Sequence, residues 1–380
     1  MKTQVNQRVQ EIIHELTASG TEVGLQVAAY LDGELIVDTW AGVADEATGR
    51  KVEGDTIFTS WSTTKGFVAT CIHLLAERGQ LEYDAPIALY WPEFAANGKD
   101  KVTVRHALTH TAGIPQMPNG VTPEMMTDWE AMCAAIASHA PLWQPGTQIG
   151  YHAWTFGWIL GEVVHRVDGR SLAQFAREEL CNPLGISDFY LGIPDAAEAR
   201  VAPLRQEADP FAGVSPDEPS LQVTPIHVTS ASVVNRPDFR RAAIPGGGGI
   251  MSARAIARHY SMLAGHGTVN GVRLLSAERV DLARTCQTCG LPGFFGGVHS
   301  FGLGYGLGGD PAQGADAAMG STGGEFGHGG HGGSLGFADP ARKLSFGLTK
   351  NLMKFWSDPK QTTAYKVATA IREMVDARQI

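Results

Sequence analysis

The sequence contains no unbroken apolar run approaching the roughly 20 residues that a bilayer-crossing helix needs, so no membrane partner is expected. Charge is also sparse. Charged residues make up 18% and apolar residues 43%, a balance that suits a soluble chain folded around a core and excludes a disordered one. Positive charge is outnumbered, with 30 Lys and Arg against 39 Asp and Glu and a formal charge of −9. No basic run interleaved with aromatics reverses this locally, so nucleic acid is not an expected partner. Cysteine is scarce and odd in number: Cys71, Cys133, Cys181, Cys286 and Cys289 are scattered and do not resemble a secreted disulfide framework. Residues 1–20 lack the continuous apolar core of an export signal. Both features predict a reducing, cytoplasmic location. Cys286 and Cys289 form a C-x-x-C, but no second pair or Cys/His cluster follows, so neither a zinc site nor any cofactor is expected.

At 380 residues the chain is long enough for one or two domains with a large buried interior. Val5, Val9, Ile12, Ile13 and Leu16 recur on one face of a first helix, and Ala364, Val367, Ala368, Ile371 and Val375 do so near the other end. Just inside these helices lie two hairpin signals. Leu25–Leu31 and 35–40 flank Asp32-Gly33, and 334–338 and 344–349 flank Asp339-Pro340-Ala341-Arg342. Strands at both ends predict an α+β fold, an antiparallel sheet assembled from the two termini and flanked by helices. The largely helical middle reads as an inserted domain: residues 1–65 and 225–380 form the α/β part and 66–224 the helical part. The Pro-rich, acidic stretch 202–220 predicts a surface loop. Glycine dominates 301–336, which suits either a flexible linker or a backbone that comes close to a substrate.

The chemistry-bearing motif is Ser62-Thr63-Thr64-Lys65, an S-x-x-K. Residues three apart share a helical face, so a lysine whose amine has lost its charge through burial can take the serine proton. The motif is short enough to arise by chance, and Ser357-Asp358-Pro359-Lys360 is a second match. There, Pro359 pushes Asp358 out of the helical region. Ser62 instead opens a helix with an apolar stripe through Phe67, Val68, Cys71, Ile72, Leu74 and Leu75 that ends at Gly79, placing the hydroxyl beside free N–H groups. Ser334 lies in G-x-S-x-G, a rival nucleophile, but no histidine follows His331 and a turn and strand stand where a helix is required. Gly304–Gly309 matches G-x-G-x-x-G, yet Asp310-Pro311 replaces the helix that a dinucleotide site needs. His106 and His110 have the spacing of two zinc ligands but lack the adjacent glutamate of H-E-x-x-H. For His328, among glycines, packing and function remain equally open.

Ser62-Thr63-Thr64-Lys65, followed by Leu108-Thr109-His110-Thr111-Ala112-Gly113 and then Pro145-Gly146-Thr147 and Tyr151-His152-Ala153, resembles the serine β-lactamase and penicillin-binding superfamily. Residues 151–158, Gly246-Gly247-Gly248-Gly249-Ile250-Met251-Ser252 and Gly327-His328-Gly329-Gly330 look like its family VIII carboxylesterases and related acyltransferases. The resemblance spans nearly the whole chain. It implies an active site in a cleft between an α/β and a helical domain, with Ser62 as nucleophile, Lys65 as its general base or the group that tunes the base, and Tyr151 as a phenol held partly ionised by Lys65 that relays protons to the leaving group. It also implies an oxyanion hole from the N–H groups of Ser62 and His331, and a substrate bordered by His328, Gly329, Gly330, His152 and Phe156.

Two departures from the superfamily pattern narrow the expectation. Neither Tyr-x-Asn nor Lys-Thr/Ser-Gly occurs; Ala153 stands for the asparagine, and His328 and Gly329 for the lysine and hydroxyl. Without a charged group for a substrate carboxylate, uncharged acyl esters are expected. Trp154, Phe156, Trp158, Phe294, Phe295 and Trp356 suit an apolar pocket or the core equally well. The expected activity is therefore carboxylester hydrolysis of a small-molecule substrate. The alternatives are acyl transfer, β-lactam or D-amino-acid peptide cleavage, and a sensor that is acylated without turnover. Oligomeric state is not legible.

Overall fold

The protein is described by a computed structural model covering residues 3–207, 215, 218–289 and 299–380. Phe294, Phe295 and much of the expected 202–220 loop lie outside the described residues.

Helix α1 (Gln4–Ala18) begins at Thr3, whose hydroxyl accepts the Asn6 N–H at 3.2 Å. Strands β1 (Gly24–Leu31) and β2 (Glu34–Asp45) then form the hairpin, with Asp32 and Gly33 both at positive φ, and β3 (Arg50–Lys51) follows. Further along come α2 (Thr64–Glu77), α3 (Thr155–Asp168) and α4 (Ala253–Ala264). The chain closes with β4 (Gly306–Leu307), β5 (Phe326–Gly329), β6 (Leu335–Asp339), β7 (Leu344–Lys350) and α5 (Thr363–Asp376).

These seven strands make one antiparallel sheet ordered β4-β5-β6-β7-β1-β2-β3. Its centre joins the two ends of the chain, with Leu25 opposite Lys350 and Leu31 opposite Leu344. Alternation sorts the faces. Leu25, Val27, Ala29, Phe337, Phe346 and Leu348 pack with Val5, Val9 and Ile13 of α1 and Val367 and Ile371 of α5. The opposite face is built from small side chains, because α4 lies almost on the backbone. A Cβ on Gly347 would come within 2.3 Å of the Ala253 carbonyl, and Ser345 donates at 2.8 Å to the Ala257 carbonyl. The glycine-rich stretch 301–336 is therefore no linker, since it supplies β4 and β5.

A second, four-stranded sheet of very short strands pairs 57–59 with 201–202 and 250–251, and the last of these with 189–190. It anchors the segment that enters α2. Every residue of α2 from Thr64 to Ala76 is buried, the polar Lys65, Thr70 and His73 included. One continuous core runs from Phe67 of α2 through Trp158 of α3 to Tyr260 of α4 and Phe326 of β5.

The cysteines differ from expectation. Cys286 and Cys289 are joined as a disulfide, with Cα atoms 6.2 Å apart, in the segment after the helix Ala277–Arg284. Cys71, Cys133 and Cys181 are free and buried. The residues around the pair explain the difference: the chain leaves the helix at Thr285, in extended backbone, so the two thiols are not held to a helical face.

Candidate active site

The strand 57–59 delivers the chain to Ser60, which is tied down on three sides. Its N–H donates to the Gly249 carbonyl (2.9 Å), its hydroxyl bonds Thr349 of β7 (2.8 Å), and its carbonyl accepts from Ser334 (2.8 Å). Ser334 also receives the Thr63 hydroxyl at 3.2 Å and is buried. The serine of the G-x-S-x-G is thus a clamp between β6 and the Ser62 turn.

Trp61 then adopts left-handed backbone, φ 48°. Such a residue cannot continue a regular helix, so residues 61–63 form a single 3-10 turn and α2 begins only at Thr64. This corrects the expectation that Ser62 itself opens the α-helix. Thr64 stabilises the bend by donating to the Trp61 carbonyl (2.5 Å) and accepting the Gly249 N–H (3.1 Å).

Lys65 is fully buried, and its Nζ lies 2.9 Å from Ser62 Oγ. Its other partners are the carbonyls of Ala153 and Gly246, each at 2.6 Å. No carboxylate among the described residues offsets its charge, so burial alone holds the amine well below the usual lysine range. Nζ is placed to donate to all three oxygens; once uncharged it keeps two N–H groups for the carbonyls and leaves a lone pair for the Ser62 proton. The close carbonyl at Gly246 depends on glycine. A Cβ on Gly157 of α3 would stand 2.1 Å from the Gly246 nitrogen, so α3 and the glycine run can touch only without side chains.

Tyr151 is hydrogen-bonded to Ser62, and its ring centroid lies 5.0 Å from Lys65 Nζ. Burial pushes the phenol above its ordinary range, and the Ser62 hydrogen bond only partly opposes this. This direction is opposite to that of a phenol partly ionised by a lysine charge. Desolvation disfavours the charged form of each group, and an amine that burial shifts toward its uncharged form does little to stabilise a phenolate.

Ser62 and Tyr151 open onto a cavity of about 500 Å³ bordered also by Trp61, Trp154, His299 and His331, with Gly246, Gly329 and Gly330 on its edges, while Lys65 lies buried behind Ser62. Val223, Thr224 and Thr229 close another side. No Asp, Glu, Lys or Arg borders it among the described residues. Its two histidines are uncharged at neutral pH, His331 being lowered to about 4 by burial.

The remaining predicted contacts divide. Gly329, Gly330 and His331 border the cavity. His328, His152 and Phe156 do not. His328 is buried with Nδ1–H on the Gly329 carbonyl (2.7 Å), and its ring lies 6.2 Å from that of Tyr151. His152 gives Nδ1–H to the Gly150 carbonyl (2.5 Å) and takes the Ile114 N–H on Nε2 (3.2 Å), which consumes both ring nitrogens. Phe156 is wholly buried beneath Lys65, 5.7 Å from its Nζ. His106 receives the Thr103 N–H in a helix cap, whereas His110 is turned inward, so the two do not converge on a metal. Sequence reasoning missed the carbonyl cage and Trp61. The glycine run was visible, but nothing local showed that its backbone reaches Lys65.

A family model described as Beta-lactamase matches residues 9–370. The chain belongs to the beta-lactamase family. Within it, the chain is 36% identical over 277 residues to the esterase/beta-lactamase LipL of Mycobacterium tuberculosis, an alignment covering 68% of this chain and 62% of LipL. The chain thus spans less than two thirds of that relative. A family VIII carboxylesterase structure superposes with a TM-score of 0.86 at 32% identity, covering 98% of each chain. A penicillin-binding protein homolog from Caulobacter crescentus gives 0.86 at 34% identity, covering 97% of each. The mixed helix and antiparallel-sheet architecture read from the two termini is that of the serine beta-lactamase fold.

Proposed function

We propose that this beta-lactamase-family protein is a serine carboxylesterase that hydrolyses uncharged acyl esters through an acyl-enzyme on Ser62. The observation that carries this reading is a serine hydroxyl 2.9 Å from a buried amine with no counter-charge among the described residues, at the wall of a cavity that no charged side chain among those residues borders.

In the proposed cycle, Ser62 Oγ attacks the ester carbonyl carbon while its proton passes to the lone pair of Lys65 Nζ. The carbonyl oxygen becomes an oxyanion held by the N–H groups of Ser62 and His331, both at the cavity wall. Collapse breaks the bond to the alcohol oxygen. Tyr151, kept protonated by burial, donates to that departing oxygen and is replenished from the Lys65 ammonium. Water then attacks the acyl-serine, the same relay takes its proton, and Ser62 regains its hydrogen as the carboxylic acid leaves. A substrate carboxylate would find no cationic partner among the described residues that border the cavity, so esters with neutral acyl groups are favoured over β-lactams.

Sustained hydrolysis of p-nitrophenyl acyl esters, abolished in Ser62→Ala, with a phosphonate attached to Ser62, is the expected result. A stoichiometric burst without turnover, or hydrolysis that survives Ser62→Ala, overturns the proposal. Diversion of product to an added alcohol would reassign the reaction as acyl transfer.

A further inference from the structure

Tyr151 lies in a segment without regular secondary structure, yet it must hold its phenol on Ser62. The two backbone N–H groups that flank it are both taken by one residue. The Gly150 N–H donates to the His110 carbonyl at 2.9 Å, and the His152 N–H donates to His110 Nδ1 at 3.1 Å. The His110 ring also packs against the Tyr151 ring with centroids 4.6 Å apart.

His110 can do this because of an unusual backbone. Its φ is +59°, in the left-handed region where non-glycine residues are uncommon. That conformation turns the carbonyl and the imidazole toward the same passing strand of chain. On its other sides the ring is enclosed by Phe156 at 5.2 Å and Phe301 at 4.7 Å. An Nδ1 that accepts a hydrogen bond must be unprotonated. The surroundings enforce this, because burial disfavours a charge on the ring.

We infer that His110 is the positioning residue for Tyr151, clamping the chain on both sides of the tyrosine through its carbonyl and Nδ1 so that the phenol stays on Ser62. This rests on the reading that Tyr151 relays protons for Ser62. His110 touches no reacting atom in that scheme and acts through the tyrosine alone.

The test compares His110→Gly with His110→Asn. Glycine accepts the left-handed backbone without strain but has no side-chain acceptor. Asparagine tolerates the same backbone and places Oδ1 at the position of Nδ1. With p-nitrophenyl butyrate, H110G is expected to lose about 100-fold in kcat with KM nearly unchanged, as for a misplaced acid–base group. H110N is expected to recover most of that loss. Both variants should still take up phosphonate at Ser62, H110G more slowly. Equal kcat in wild type and H110G overturns the inference, as does a folded H110N no more active than H110G. Should H110G not fold, H110N decides alone: near-wild-type kcat supports the clamp, and a kcat as low as that of Tyr151→Phe refutes it. Failure of the underlying reading is separately visible, because Tyr151→Phe would then retain full activity.

Discussion

Lys65 Nζ stands 2.9 Å from Ser62 Oγ and 2.6 Å from each of two main-chain carbonyls, with no carboxylate among its partners. A lysine surrounded only by neutral acceptors and sealed from water is a base rather than a counter-ion.

Replacing Lys65 by arginine should therefore be as damaging as replacing it by methionine. A guanidinium does not lose its proton in proteins, so neither variant supplies a base, and kcat should fall by about 10²- to 10⁴-fold in both. Steady-state kinetics on folded variants would check this. An active Lys65→Arg enzyme would argue that the lysine acts through its charge.

The same residue sets the pH dependence. Burial lowers the amine, so kcat/KM should rise as pH increases through a midpoint well below the usual lysine range and then level off. A rate that keeps climbing into the ordinary lysine range would show that the amine is not depressed.

Stability should fall on acidification. His73, His152, His259 and His328 are all lowered by burial to about 3 in the folded chain, against an ordinary value near 6.5 once unfolded. Between those values the unfolded chain binds more protons, so stability is highest above about 6.5 and is lost as pH falls toward 3, by at most about 1.4 kcal/mol per pH unit for each histidine. Urea denaturation at pH 6.5, 5.5 and 4.5 should show a steadily falling midpoint. A flat profile would mean that these rings are accessible to protons in the folded state.

Ser334→Ala should cost stability without removing the nucleophile. It leaves the buried Ser60 carbonyl without the hydroxyl that donates to it at 2.8 Å, a loss of about 1 to 3 kcal/mol. The variant should still be labelled by a phosphonate on Ser62, as peptide mapping would show. Label appearing at residue 334 in the wild type would reverse the assignment.

Gly157→Ala should damage both stability and catalysis. Its Cβ would lie 2.1 Å from the Gly246 nitrogen, and relieving that overlap costs about 1 to 3 kcal/mol. The shift also draws the Gly246 carbonyl away from Lys65. The melting temperature and kcat should fall together, and an unchanged kcat would show that the carbonyl cage tolerates displacement.

Much of the architecture could be read from periodicity. The terminal helices follow from apolar stripes such as Val5, Val9 and Ile13, and the hairpins from turns such as Asp32-Gly33, because both patterns are set by neighbours a few residues apart. The Ser62–Lys65 pair was legible for the same reason. The direction in which the Tyr151 phenol is shifted was not legible, since proximity to a lysine was visible and the desolvation of both groups was not. His152 and Phe156 were assigned to the substrate from their place in a motif, but each side chain points into packing contacts made by distant segments. The disulfide between Cys286 and Cys289 was not anticipated, because two cysteines three apart are equally compatible with free thiols.

Local order along the chain was thus enough to specify where helices and strands form and which hydroxyl and amine share a turn. What makes that amine a base came from elsewhere: its carbonyl partners lie 88 and 181 residues away, and its desolvation depends on α3, the glycine run and β5 closing around α2. Short-range spacing is encoded in the bonded geometry of consecutive residues. Burial and proton affinity arise only when remote segments exclude water together, and no local pattern reports that.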